Sequence, residues 1–180
     1  MILETKRLKI RPVEWTDSKA LFEYRSDKEV NQFQGFVPSS EAEMLSFIQK
    51  VNPEINQVGT WFQFVIILEN QNEIIGDIGI HFLVEAQDQI EFGITINKEY
   101  QQKGFATEAA ACVFHYLFNE LKKHRIIASV DPRNTSSIKL FEKLNMRKEA
   151  HFKKSLLFKG EWVDDVIYAL LESEYKERND

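Results

Sequence analysis

The chain has 180 residues, of which 43% are hydrophobic and 28% charged, and its formal net charge is −5 at pH 7. These values are typical of one globular domain with a substantial core. An acidic chain is unfavourable for general nucleic-acid binding, which depends on Lys and Arg contacts with phosphate. Cys112 is the only cysteine, so no internal disulfide can form, which fits a reducing compartment.

The first third of the chain predicts one strand and two helices. Residues 8–12 alternate apolar and polar side chains, as in a strand, and Thr16-Asp17 then offers a helix N-cap. Residues 31–38 form a loop. The capping-box pattern Ser40-x-x-Glu43 opens a second helix, which ends at Asn52-Pro53.

The middle of the chain predicts three consecutive strands at 61–68, 74–82 and 90–96, where aromatic and β-branched residues are frequent. Short polar segments join them, the second at 85–89, so we expect an antiparallel meander. A polar loop at 98–103 then leads into a long amphipathic helix at 107–123.

The last third predicts a buried strand at 126–130, a helix at 135–144 and a hairpin around residues 158–161. We expect a single domain over residues 3–171 and a frayed, charged tail over 172–180. Neither a signal peptide nor a membrane-spanning run is recognisable, so we expect a cytoplasmic protein without a membrane partner.

The segment most indicative of a function is the loop before the long helix. The first turn of a helix presents unpaired N–H groups that attract anions, and Gly104 and Ala106 would let a phosphate approach the backbone closely. The histidines are scattered without metal-ligand spacing, so we predict no metal. They are His81, His115, His124 and His151.

This loop resembles the acyl-CoA signature Q/R-x-x-G-x-G/A of the GNAT (GCN5-related N-acetyltransferase) family. In that family the loop amides hold the CoA pyrophosphate, and the preceding strand, which splays from its neighbour, binds the pantetheine arm through its backbone. The resemblance implies the following acetyl-CoA-binding residues: Ile94, Ile96, Gln101, Gln102, Lys103, Gly104, Phe105 and Ala106.

A second segment, Asn134-x-x-Ser137 followed by Leu140-Phe141-Glu142-Lys143-Leu144-Asn145-Met146, resembles the family pattern N-x-x-S-x-x-L-(F/Y)-E-K-L-G-F. The resemblance implies that Asn134 contacts the cofactor and that Ser137 lies near its thiol end. Asn134 could equally be a helix N-cap, and Ser137 could be structural. Asn145 replaces the family glycine, but asparagine tolerates the same helix-ending conformation.

Further segments resemble the RimJ/RimL branch of the family. They are the opening Thr5-Lys6-Arg7-Leu8-Lys9-Ile10-Arg11-Pro12, then Ile75-Gly76-Asp77-Ile78-Gly79-Ile80, Glu91-Phe92-Gly93 and Trp162-Val163-Asp164. The implied fold is the α/β (α+β) GNAT fold. It has a central, mostly antiparallel mixed sheet with a splayed strand pair, flanked by helices.

Acetylation of an amine requires a neutral nitrogen, so the enzyme must remove a proton directly or through water. Glu91 is our candidate base, because strand alternation places it opposite the apolar face of its strand; it could also be a solvated strand residue. Ser137 is the candidate proton donor to the departing thiolate, by resemblance only. Some aromatic residues could line an acceptor pocket: Phe33, Phe36, Trp61, Phe82, Phe158 and Trp162.

The predicted function is transfer of an acetyl group from acetyl-CoA to a primary amine. The acceptor is either a protein N-terminus or a small amine, and a homodimer is left open. Two other functions compete with this one. The first is an acyl-CoA-binding module without catalysis, and the second is a protein–protein adaptor that would not bind CoA.

Overall fold

The computed structural model describes residues 1–84, 86 and 88–177, and its centre is an eight-stranded mixed sheet. The strands lie in the order β1-β2-β3-β4-β5-β6-β8-β7. Their bounds are β1 Leu3–Glu4, β2 Leu8–Pro12, β3 Trp61–Leu68, β4 Glu73–Phe82, β5 Gln89–Ile96, β6 Arg125–Val130, β7 Arg147–Phe158 and β8 Glu161–Leu171. The helices are α1 Ser18–Arg25, α2 Glu41–Lys50, α3 Phe105–His115, α4 Thr135–Lys143 and α5 Glu172–Lys176.

Strands β3 to β5 form the predicted antiparallel meander. The pair β5–β6 is parallel, as expected for a connection that includes a helix, and the other neighbouring pairs are antiparallel. The hairpin of β7 and β8 turns at Lys159 and Gly160, with φ angles of 49° and 85°. Two consecutive positive φ angles are typical of the tight turns that favour a hairpin.

The two faces of the sheet are covered by different helices. On one face α3 and α4 pack against a large apolar core, which includes Phe64 and Phe92. On the other face α1 and α2 cover a smaller cluster around Tyr24 and Val65. Alternation along β5 therefore directs Ile90, Phe92, Ile94 and Ile96 towards α3 and directs Glu91, Gly93 and Thr95 towards the α1/α2 face.

Two details differ from the sequence prediction, and a third lies partly outside the described residues. The helix predicted at 107–123 begins at Phe105, and after His115 it continues as one π-helical turn over Tyr116–Glu120. The tail predicted to be frayed forms α5 over Glu172–Lys176, where the ring of Tyr175 lies 5.0 Å from that of Phe118. The predicted polar turn at 85–89 includes residues 85 and 87, which lie outside the described residues.

Candidate active site

The sheet opens between β5 and β6. In the described chain these strands pair only where Gln89–Glu91 lies beside Arg125–Ile127, while β5 stays paired with β4 as far as Ile96. The Asn97 N–H donates to the Ile75 carbonyl at 2.9 Å, which is on the β4 side. Since backbone groups alternate in direction along a strand, those of Ile94 and Ile96 point to the open side.

The loop that follows β5 is arranged around this opening. Residues 101–104 are exposed, and Gln101 Nε2 donates to the Ile96 carbonyl at 2.9 Å, which ties the loop to the end of β5. Gly104 is the N-cap of α3 with a φ of 82°, a left-handed conformation that glycine adopts without steric cost.

Beyond Gly104, the first turn of α3 offers backbone donors. The Glu108 N–H donates to the Gly104 carbonyl at 3.1 Å, so the N–H groups of Phe105, Ala106 and Thr107 precede the first intrahelical bond. The Phe105 side chain is buried in the core, so only its backbone is available to a ligand. This arrangement suits the pyrophosphate of CoA, which needs close donors and a positive helix end.

The segment Thr5–Arg7 holds this helix start in place, a role that sequence reasoning missed. Thr5 Oγ1 donates to Glu108 Oε1 at 2.6 Å, and Arg7 Nε donates to Glu108 Oε2 at 2.7 Å. Arg7 also donates to the Lys103 carbonyl at 3.2 Å, and its guanidinium lies 4.3 Å from the centre of the Phe105 ring. Thr5 and Arg7 therefore connect β2 to both the loop and α3.

The carboxylate of Glu108 is held in its charged form by these contacts. Burial alone would raise its pKa, but the hydrogen bonds from Thr5 and Arg7 together outweigh burial and lower the pKa below its ordinary value of 4.5. An acidic group so close to the proposed anion site is balanced by the guanidinium of Arg7, 2.6 Å away.

Asn134 and Ser137 lie at the start of α4, directly after β6. Asn134 Oδ1 accepts the Ser137 N–H at 3.2 Å, so Asn134 is the N-cap of the helix. Its Nδ2 has no partner among the described residues, which leaves that amide available to a ligand. Because β5 and β6 are parallel, this helix start and the 101–104 loop both lie at the carboxyl ends of the separated strands.

Glu91 lies on the α1/α2 face at the last position where β5 pairs with β6. Its side chain is 34% exposed, and Oε2 is 3.6 Å from Nδ1 of His81, its cross-strand neighbour on β4. The imidazole is stacked on Trp61, with ring centres 4.8 Å apart and planes at 7°. Ser137 belongs to a helix on the α3 face, so the two candidate catalytic residues lie on opposite sides of the opening.

The aromatic candidates for an acceptor pocket are divided among different places. Phe33 and Phe158 line a cavity of about 570 Å³, together with Gln32, Arg133, Lys159, Glu161 and Val163. Phe82 is buried in the core on the α3 side and does not line this cavity. Phe36 is stacked on Phe47, and Trp162 is exposed on β8.

Under α1 lies a buried ionic cluster that the sequence analysis did not identify. Asp77 on β4 is fully buried and accepts hydrogen bonds from Tyr24 Oη at 2.7 Å and Arg25 Nε at 2.9 Å. Gln63 also donates to its carboxylate. These contacts attach α1 to the sheet four cross-strand pairs from Glu91, because Asp77 pairs with Thr95 and His81 pairs with Glu91.

A parallel strand pair that separates, with backbone donors of a helix start at the end of one strand, is the arrangement expected of an acyl-CoA-dependent acetyltransferase. Comparison with known proteins agrees, since the family model "Acetyltransferase (GNAT) domain" matches residues 7–147. The chain belongs to the GNAT family and is an acetyl-CoA-dependent N-acetyltransferase. In the described residues, no helix has the length and apolar character needed to cross a membrane.

Relatives support this assignment over nearly the whole chain. The uncharacterized N-acetyltransferase YnaD of Bacillus subtilis is 35% identical, with 97% of this chain and 99% of the relative aligned. A GNAT-family acetyltransferase structure from Bacillus anthracis has a TM-score of 0.86 at 36% identity and covers 97% of this chain and 100% of its own. The [ribosomal protein uS5]-alanine N-acetyltransferase of Escherichia coli is 29% identical, with 93% and 89% aligned, which is consistent with the RimJ/RimL-like branch.

Proposed function

We propose that this enzyme transfers the acetyl group to a primary amine by direct attack, with Glu91 as the general base. The acceptor is either a protein N-terminal α-amine or a small-molecule amine. The observation that carries this proposal is the position of Glu91. It is a partly exposed carboxylate on the α1/α2 face, at the point where β5 and β6 separate.

Acetyl-CoA would be held by the backbone of β5 and by the loop that follows it. The proposed set comprises Ile94, Ile96, Gln101, Gln102, Lys103, Gly104, Phe105, Ala106, Asn134 and Ser137. Ile94 and Ile96 would offer backbone groups, since their side chains belong to the α3 side. When bound, the cosubstrate supplies the acetyl group as a thioester, and we propose no metal in the reaction.

In the proposed mechanism, each group at the site has one role, as proton acceptor, hydrogen-bond donor or proton donor. Glu91 accepts the proton of the acceptor ammonium, directly or through water, because only the neutral amine can attack. A backbone N–H on the free edge of β5 donates to the carbonyl oxygen as it gains charge. As the C–N bond forms and the C–S bond breaks, Ser137, from the α3 side, donates a proton to the departing sulfur and regains one, directly or through water, from the acylated nitrogen.

The two acceptor classes have different support. The uS5-alanine N-acetyltransferase relative favours a protein N-terminus. The cavity beside Phe33 and Phe158 could take either an extended peptide end or a small amine, because its volume is that of an ordinary small-molecule site. We further propose that one domain over residues 3–171 carries the activity, in the cytoplasm.

The direct experiment is acetyl-CoA-dependent thiol release with a panel of amines and basic N-terminal peptides. Mass spectrometry of the acceptors should identify a product carrying one acetyl group on nitrogen. Amine-dependent release above the rate of hydrolysis supports the proposal. If acetyl-CoA binds and no amine increases thiol release, a non-catalytic CoA-binding module is favoured; absence of CoA binding would favour an adaptor.

A further inference from the structure

Gly93 in the middle of β5 has none of the usual structural reasons to be glycine. Gly59, Gly104 and Gly160 have positive φ angles, where other residues are strained. At Gly76 an added Cβ would lie 2.4 Å from the Thr95 carbonyl oxygen, and at Gly79 it would lie 3.1 Å from Gln63. At Gly93 φ is ordinary, and an added Cβ would have no neighbour within 4 Å.

A glycine inside a strand weakens the strand, because it loses more conformational freedom on folding and packs no side chain. Neither backbone geometry nor packing requires one at position 93. The remaining explanation for glycine at position 93 is that it leaves the space above the strand empty. A strand glycine of this kind often marks a place where a ligand approaches closely.

The position of that space is specific. Gly93 follows Glu91 by two residues on the same face, so the space lies directly beside the candidate base. On β4 the facing residue, Gly79, is overlaid by Trp61 and Gln63, which form one wall. The other side is the opening, because β6 has left β5 after the pair Glu91–Ile127.

Beyond Gly93, towards the end of β5, the α1/α2 face of the sheet is covered. Thr95 is buried, and its partner Asp77 is covered by α1 through the Tyr24 and Arg25 contacts. In the other direction Glu91 and His81 are partly exposed. The space above Gly93, which we call the Gly93 notch, is therefore a recess of one residue between the closed and the exposed parts of this face.

We propose that the acceptor nitrogen meets the acetyl group in the Gly93 notch, and that the missing side chain determines which amines are accepted. The proposal rests on the proposed function, since Glu91 is the base and the acetyl group reaches the face through the opening. A primary amine on an unbranched carbon fits the notch best. Bulk at position 93 would compete with substituents on that carbon.

The first test replaces the glycine in two steps, Gly93→Ala and Gly93→Val. Gly35→Ala is the matched control, because an added Cβ at Gly35 also has no neighbour within 4 Å and φ there is not positive. The probes are otherwise identical peptides that begin with Gly, Ala or Val, and the readouts are kcat/KM, acetyl-CoA affinity and Tm.

We expect Gly93→Ala to lower the ratio of kcat/KM for the Val-initiated to the Gly-initiated peptide at least tenfold. Gly93→Val should impair transfer to all three. Acetyl-CoA affinity should stay within about twofold, and the Tm of both variants should equal or exceed that of the wild type. An unchanged ratio, or a lowered Tm with uniform loss of activity, would overturn the proposal.

The second test does not depend on the acceptor. In a Cys112→Ser background, Gly93→Cys is exposed to CoA disulfide. The thiolate of the new cysteine attacks one disulfide sulfur, forms a mixed disulfide with one CoA and releases the other CoA as a thiol. Gly35→Cys in the same background is the control.

The proposal predicts that the cysteine at 93 is modified at least tenfold faster than that at 35, and that excess acetyl-CoA suppresses the difference. Equal rates for the two cysteines, with CoA binding intact, would overturn it. If the wild-type chain does not bind CoA, that result contradicts the proposed function. Failure of the proposed function is therefore distinguishable from failure of the Gly93 notch proposal.

Discussion

The guanidinium of Arg7 lies 2.6 Å from the carboxylate of Glu108, and the same side chain donates to the Lys103 carbonyl at 3.2 Å. One residue beside β2 therefore fixes both the loop and the first turn of α3. The family acyl-CoA signature, residues 101–106, includes Lys103 and ends two residues before Glu108. Its geometry thus depends on a segment about a hundred residues earlier in the chain.

Replacing Arg7 with Lys should weaken acetyl-CoA binding about three- to tenfold, or about 0.7–1.4 kcal/mol. Lysine keeps the charge, but a single ammonium cannot form the two separate contacts of the guanidinium fork. Calorimetry measures the change, and Lys6→Gln, at an exposed neighbouring cation, is the control. Equal affinities for wild type and Arg7→Lys would show that the loop holds its shape without this contact.

Gly104 meets two requirements, a positive φ angle and close approach of the pyrophosphate to the backbone. Different substitutions can separate them. Its φ of 82° disfavours a branched residue by about 1–2 kcal/mol, so Gly104→Val should lose stability as well as CoA affinity. Asparagine tolerates this conformation, so Gly104→Asn should keep the Tm near that of the wild type. Both variants should bind acetyl-CoA more than tenfold more weakly. Normal affinity in Gly104→Asn would place the pyrophosphate elsewhere.

Much of the fold could be predicted from local pattern. The alternation in β5 identified which face carries Glu91, and turn residues located the hairpin at 159–160. The acyl-CoA loop was found because its residues are consecutive. The pairing of His81 with Glu91 could also have been predicted, since the register of a hairpin follows from its turn and loop length.

Contacts between distant segments could not be predicted in this way. The Arg7–Glu108 pair and the Asp77 cluster each join residues more than 50 positions apart, and no local periodicity encodes such pairs. Asp77 was noticed only as part of a family motif, because an aspartate in an apolar strand does not reveal its partner. The empty space above Gly93 is likewise a property of the assembled sheet.

The Asp77 cluster should matter for stability more than for cofactor binding. Asp77→Ala removes the carboxylate and leaves Arg25 charged and buried, so the free energy of unfolding should fall by about 3–5 kcal/mol. Urea denaturation measures this, with the exposed Glu69→Ala as control. Acetyl-CoA affinity of the folded variant should be unchanged. A loss below about 1 kcal/mol would mean that Arg25 finds another partner or reaches solvent.

The role of Glu91 is the centre of the proposed mechanism, and the pH dependence of kcat in Glu91→Gln tests it most directly. Glutamine keeps the shape and cannot accept a proton, so kcat at neutral pH should fall by about 10²–10⁴. Acetyl-CoA affinity should hardly change, since backbone groups make those contacts. His81→Gln is the companion variant, because it alters the neighbouring polar group and leaves the carboxylate in place.

With an amine acceptor, the turnover of Glu91→Gln should recover as the pH rises towards the pKa of the amine, where the nitrogen is already neutral. The wild type should gain much less over the same range. This recovery distinguishes a proton acceptor from a residue that only orients the substrate. Wild-type turnover by Glu91→Gln at neutral pH, or an equal loss at every pH, would contradict the assignment of Glu91 as the base.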